Sequence, residues 1–184
     1  MTTATATPAT TTWNIDPAHS SAEFKVKHMM ISNVKGNFSG LSGVLTEHAT
    51  DATLSYVEAS VPVATVSTGD AQRDGHLKSA DFFDAEKYPT FTFKSTKVDL
   101  TAGEYQVTGD LTIHGITKPV TFAVDGPSAP GKDPWGNTRI GLSATAKINR
   151  KDFGLVWNAP LETGGILIGD EVSVTLDVEF IKAA

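Results

Sequence analysis

The chain has 184 residues, 40% hydrophobic and 20% charged, with a net charge of −6 and no cysteine. This is the balance of one globular domain with a sizeable core. It excludes disulfides, thiolate nucleophiles, zinc ribbons, iron–sulfur clusters and covalently held haem, and its acidity argues against a nucleic-acid partner.

Residues 1–12, MTTATATPATTT, are low in complexity and lack the basic and apolar regions of a secretory signal. They read as a disordered tail, and the missing signal predicts a cytoplasmic protein. The folded domain is expected over residues 13–184, beginning at Trp13, with a turn at Asp16-Pro17. Residues 22–30 alternate Phe24, Val26 and His28 against Glu23, Lys25 and Lys27, the period of a strand with one apolar face. Residues 34–46 carry Gly36, Gly40 and Gly43, which predict bulges or bends of the kind a closing barrel uses. Asn37-Phe38-Ser39 matches a glycosylation pattern but reads as strand. Residues 54–66 place Val57, Ala59, Val61 and Val63 on one parity, with Pro62 marking an edge, bulge or strand end.

Residues 70–83 break the alternation. Arg73 and Leu77 lie one helical turn apart, predicting one short helix and then a turn that presents Phe82 and Phe83. Strands resume at 90–98, with Phe91 and Phe93 inward, then at 105–113 and 120–124, with Leu111 and Phe122 inward. Residues 126–137 form a Pro/Gly-rich loop around Trp135. Residues 140–148 alternate Ile140, Leu142, Ala144, Ala146 and Ile148 against polar neighbours. After a second loop, residues 172–180 alternate Val172, Val174, Leu176, Val178 and Phe180. About eight strands and one helix must roll their apolar faces together, as a sandwich or a barrel. No run approaches the roughly 18 apolar residues of a membrane span. Small inward residues (Ala59, Gly109, Ala144, Ala146) leave open whether the interior is a cavity or a solid core.

No motif for metal or catalysis is present. His28 shares the parity of Phe24 and Val26, so it points inward and needs a partner or marks the polar end of a cavity. Asp16, His19 and Ser20 hold the letters of a catalytic triad without a nucleophile elbow, and turn-closing roles for Asp16 and Ser20 are expected. Arg73, Asp74 and His76 crowd the short helix, as a solvated face or as a polar rim. Asn149-Arg150-Lys151-Asp152 reads as a basic turn.

Four segments in order resemble the YceI-like family of polyisoprenoid-binding proteins: Trp13 to Ser20 with Phe24 to Met29, Arg73 to Asp84 with Tyr88 to Phe93, Gly109 to Lys118, and Ile148 to Leu155. The resemblance implies a single elongated, lipocalin-like antiparallel barrel around a long apolar pocket. It also implies a bound isoprenoid, isoprenoid quinone or similar amphiphile, and a homodimer. Its tail is expected along Phe24, Val26, Phe38, Phe82, Phe83, Phe91, Phe93, Leu111, Phe122, Leu142, Ala144, Ala146 and Leu176. Its head is expected near His28, Arg73, Asp74 and His76, with the helix capping the entrance. No catalysis, metal or other cofactor is implied. Two other readings stand beside it: an enzyme acting on the lipid head with His28 or His76 as general base, and a solid-barrel scaffold docking through the 126–137 loop, although a buried Trp135 folded over a barrel end is the expectation there.

Overall fold

The computed structural model describes residues 9–184. Its strands are β1 (Thr10–Ile15), β2 (Ser21–His28), β3 (Ser32–Phe38), β4 (Ser42–His48) and β5 (Tyr56–Pro62). One helix, α1 (Ala71–Lys78), precedes β6 (Thr90–Thr101), β7 (Glu104–Ile113), β8 (Ile116–Asp125), β9 (Gly131–Lys132), β10 (Thr138–Asn149) and β11 (Ile168–Lys182). Eight strands close an antiparallel ring in the order β11-β1-β4-β5-β6-β7-β8-β10, with β10 returning to β11. The expected all-β barrel with one short helix is what the chain forms.

The ring is organised by β11. One edge pairs with β10 from Arg139↔Ile181 to Asn149↔Glu171. The other edge is shared, by β2 along Ile168 to Asp177 and by β1 along Phe180 to Lys182. Both are antiparallel to β11, so β1 and β2 run the same way and form one stave broken by the 3-10 turn Pro17–His19. In the same manner β3 pairs with β2 and β4 with β1, making a second broken stave. It bends at residues 39–41, where Gly40 takes a left-handed φ of +75°. The glycines of residues 34–46 thus bend the chain without reversing it.

Two details differ from the sequence reading. Eleven strands occur because two staves are split and β9 adds a short pair beside β10. And β1 begins at Thr10, because Thr10, Thr11 and Thr12 pair with His48, Glu47 and Thr46 of β4. Threonine is β-branched and suits a strand, so three residues assigned to the tail join the sheet. Residues 1–8 of that tail lie outside the described residues.

One end of the barrel carries the β2–β3 turn, the β7–β8 turn, the β10–β11 loop and the long β5–β6 connection with α1; this is called the helix end. There β3 parts from β5, and the connection fills the gap. Asn37 and Ser67 exchange backbone hydrogen bonds of 2.9 Å. Asp70 caps α1 by accepting the Arg73 N–H at 2.8 Å. The chain then drops Phe83 between Phe38 and Phe91, with ring centroids 5.9 and 5.2 Å away. Such tilted and edge-on aromatic contacts stabilise beyond their buried area.

Three hairpins turn through two residues with positive φ: Met29-Met30, Ala102-Gly103 and His114-Gly115. Turns of this kind match the twist of the strands but favour Asn and Gly. Met29 and Met30, at φ 52° and 58°, have neither. Replacing the pair with Asn-Gly should raise the stability of the folded chain by about 1–2 kcal/mol, since left-handed backbone costs L-residues roughly that much per position. Chemical denaturation of the two proteins measures this, and an unchanged or lower midpoint contradicts it.

Opposite the helix end, Arg139 fastens the 126–137 hairpin. Its Nη1 donates to Asp16 Oδ2 at 2.7 Å and Glu179 Oε1 at 2.6 Å, and its Nε donates to Asp133 Oδ2 at 2.7 Å. Arg139, then His19, holds the Asp16 carboxyl down to about 2 against the opposing pull of burial. For Asp133 burial alone would raise the pKa, but Arg139, Asn137 and the Trp135 N–H together carry it below the usual carboxylate range. Both folded-state pKa values lie below the unfolded ones. The stabilisation is therefore full above about pH 4 and is lost as pH falls through the folded values. Thermal melts should show Arg139→Gln far less stable than the wild type at pH 7, with the gap narrowing between about pH 4 and pH 2.

Candidate functional site: an apolar cavity under an aromatic lid

A cavity of about 480 Å³ runs the length of the barrel, from His28 and Ile168 at the helix end to Tyr56, Tyr105 and Pro127 at the far end. That is within the range of roughly 300–1,000 Å³ typical of small-molecule sites. The interior is a cavity rather than a solid core.

The period-two pattern placed most of its wall. Phe24, Val26, Phe38, Phe91, Phe93 and Leu111 line it. So do Phe82 and Phe83 from the β5–β6 connection, and Phe122, Leu142, Ala144 and Leu176 from the barrel wall. Ala146 does not. It is half-buried and directly opposite Val174, whose larger side chain reaches the cavity where a single methyl falls short. Gly109 gives no clearance either: a Cβ there would run into the Lys94 carbonyl and the Phe93 ring, which already occupy the space.

Of the expected polar head contacts, His28, Arg73 and His76 reach the cavity wall. Asp74 does not, because its Oδ1 accepts the N–H and Oγ1–H of Thr68 at 2.8 and 2.6 Å. The carboxylate fastens the helix start to the preceding segment, and Arg73 Nε donates to the same Thr68 hydroxyl at 2.8 Å. His76 Nε2 is 2.8 Å from Asp81 Oδ2. Its ring stands edge-on to Phe82, at 5.0 Å, and to Trp157 of the β10–β11 loop, at 4.8 Å. Phe82 and Trp157 themselves approach to 5.3 Å. These three rings join α1 to the opposite side of the barrel and form a lid over the helix end.

The sequence reading missed Trp157 and, more consequentially, Arg150. Residues 149–152 do form the expected turn, a 3-10 turn over Arg150–Phe153 capped by Asn149, but Arg150 is 4% exposed and lines the cavity instead of facing solvent. Its Nε donates to the Gly169 carbonyl at 2.9 Å, and its Nη1 to the Leu155 and Trp157 carbonyls at 2.5 and 2.9 Å. Nη2 is buried without a hydrogen bond among the described residues, 3.7 Å from Asp170 Oδ1. Burial pushes the guanidinium pKa down, and Asp170 opposes that shift. The signal was available: the inward parity of Ile140 to Ile148, continued by one step, lands on Arg150. Trp157 sits in a loop with no period to read.

Three other expectations are settled by geometry. Asp16 does close a turn, its Oδ1 accepting the Ala18 N–H at 3.0 Å, but Ser20 does not: its Oγ accepts the Glu179 N–H at 3.0 Å and so fastens the chain to β11. Asp16, His19 and Glu179 offer three close ligand atoms, but the Arg139 guanidinium already bridges both carboxylates and supplies the positive charge there. Trp135 is not folded over the barrel end; it is 81% exposed. The 126–137 loop curls around Asp133, whose Oδ1 accepts the N–H groups of Trp135 and Asn137 at 2.9 Å, and this leaves the indole outside.

Arg150→Met should destabilise the protein by about 3 kcal/mol or more, because three carbonyls in a buried setting lose their donor. It should also loosen the Trp157 lid. Equilibrium unfolding and the exchange rates of the amides of residues 154–158 test both, and wild-type values for each would contradict the assignment.

A YceI-like domain model matches residues 13–180. A UPF0312 protein of Vibrio cholerae is 42% identical over 139 residues, 75% of this chain and 73% of that protein. The crystal structure of Burkholderia cenocepacia BcnA superposes with a TM-score of 0.75 at 25% identity, covering 90% of this chain and 98% of that one. A polyisoprenoid-binding domain from Saccharophagus degradans shares the fold at a TM-score of 0.65 and 18% identity, covering 96% and 100%. With its barrel, its lidded cavity and a family match over nearly the whole described chain, the protein belongs to the YceI-like family.

Proposed function

We propose that the barrel binds one long-chain isoprenoid or similar amphiphile and acts as its carrier or store, without catalysis. The observation that carries this reading is the cavity itself: a long apolar channel whose positively charged and imidazole groups gather at one end. An apolar chain inside gains about 0.8 kcal/mol for each buried methylene and needs no partner along its length. The tail runs past Phe91, Phe93 and Phe122 toward Ala144. The head stays at the helix end near His28, Arg73 and His76. That the Saccharophagus degradans domain is a polyisoprenoid-binding one accords with this reading.

The His76–Asp81 pair is the one arrangement that favours an enzyme, since a carboxylate orients a histidine base in this way. Among the described residues no nucleophile is hydrogen-bonded to His76, and its ring is packed into the lid. Conversion of a bound lipid that His76→Ala abolishes while binding persists would establish catalysis in place of simple carriage.

Mass analysis of lipid extracted from the purified protein should return a long-chain amphiphile. Ala144→Phe should fill the deep channel and shift uptake toward shorter chains, each lost methylene lowering affinity about fourfold. Unchanged chain-length preference in the folded variant, or a wild-type protein that takes up no polyprenol or isoprenoid quinone, would sink the proposal.

A further inference from the structure

We propose that the β2–β3 hairpin and the neighbouring β10–β11 loop form a docking surface for an anionic lipid bilayer at the helix end of the cavity. Met30 and Ile31, at the tip of the hairpin, are 63% and 79% exposed, and Met29 beside them is 40% exposed. The Met29 N–H donates to the Leu167 carbonyl at 2.7 Å, which sets this tip against a loop carrying the exposed Ile166. On the same loop, exposed Val156 lies between Leu155 and Trp157, both in the cavity wall. Leu167, Ile168 and His28 also line that wall. Five large apolar side chains in solvent thus rim one end of an apolar channel. Isolated exposed apolar residues are ordinary, but a cluster at the mouth of a site marks an interaction surface.

Charge selects the occupant. Below the tip the outer face of the hairpin carries Lys25, Lys27 and Lys35, all exposed. Lys25 and Lys35 are directly opposite each other across β2 and β3, a like-charge pair that opposes folding. None of the three forms an ion pair among the described residues; Lys78, Lys87, Lys118, Lys132 and Lys182 form none either, so what sets the three apart is their clustering on one face behind the apolar tip. An acidic chain of net charge −6 therefore keeps three unpaired lysines behind an apolar tip. Apolar side chains that enter the acyl boundary, followed by cations level with anionic headgroups, are the parts of an interfacial anchor. The turn composition points the same way. Met29 and Met30 occupy left-handed positions that Asn and Gly would hold with less strain, and methionine offers a flexible apolar side chain to a fluid partner.

This inference takes its purpose from the lipid-binding reading, since a docked mouth lets a tail pass between bilayer and channel, but its test is separate. The full chain is sedimented with vesicles of phosphatidylcholine alone and of phosphatidylcholine mixed with phosphatidylglycerol. Binding should be confined to the anionic vesicles and should fall as salt rises. Lys25→Gln and Lys35→Gln should each weaken it about fivefold. The Met29→Asn/Met30→Gly double variant preserves the turn, so it should stay folded and lose most of the binding. Absence of wild-type binding to anionic vesicles, or full binding by that double variant, overturns the proposal. So does light scattering that finds a wild-type dimer converted to monomer by the double variant without vesicle binding, which would make the surface a contact between copies of the chain. Lipid recovered from the cavity without vesicle binding sinks the docking surface alone; vesicle binding with an empty cavity sinks the carrier reading alone.

Discussion

The structure depends on the continuity of β11. Its fifteen residues are hydrogen-bonded on both edges, to β10 along one side and to β2 and β1 in succession along the other. A strand that long can serve two shorter partners only if they follow one another in the same direction. That requirement breaks the first two staves at the Pro17–His19 turn and at residues 39–41. The breaks open the helix end, because β3 leaves the path of β4 and no longer has β5 beside it. The gap is filled by irregular chain, and irregular chain is where α1, Phe82 and Phe83 sit. Ring closure and the lid are thus two consequences of one pairing pattern.

The interior stays hollow for a related reason. Aromatic side chains pack against one another at the helix end, where Phe24, Phe38, Phe83 and Phe91 form a continuous set of contacts. Farther along, Phe93 and Phe122 meet edge-on over the wall that holds Ala144. Branched and small residues facing a circular interior do not reach its axis, so the channel remains. Polar groups then sort by what they can satisfy. Asp74 and Arg73 find Thr68, His76 finds Asp81, and Arg150 finds three backbone carbonyls. The cost of burying a polar group without a partner holds them at the mouth rather than along the channel.

Stability and exposure are distributed unevenly around the barrel. The end opposite the helix is clamped by Arg139 and three carboxylates. The helix end is held by aromatic contacts, by Arg150, and by a hairpin whose turn residues are unfavourable for its conformation. Local strain of this sort tends to persist where a surface meets a partner. The asymmetry leaves one end clamped by charge and the other held by aromatic packing.

By itself the sequence determined the strands with a clean period of two, their inward faces and one short helix within residues 70–83, because backbone geometry makes alternation, and its interruption, a local property. It determined the family as well, through four motifs in order. His28 was legible by parity alone. Tertiary structure decided what alternation does not encode: that β1 recruits Thr10 to Thr12, that two staves split, that Ala146 falls short of the channel while Ala144 reaches it, and that Asp74 turns to Thr68. It also decided that Trp157 closes the mouth while Trp135 stays in solvent, since loop residues have no period and their burial is set by which distant segment they meet. Arg150 stands between the two: its parity was readable, but its charge suggested a surface turn until three carbonyls from the β10–β11 region supplied the partners that make its burial affordable.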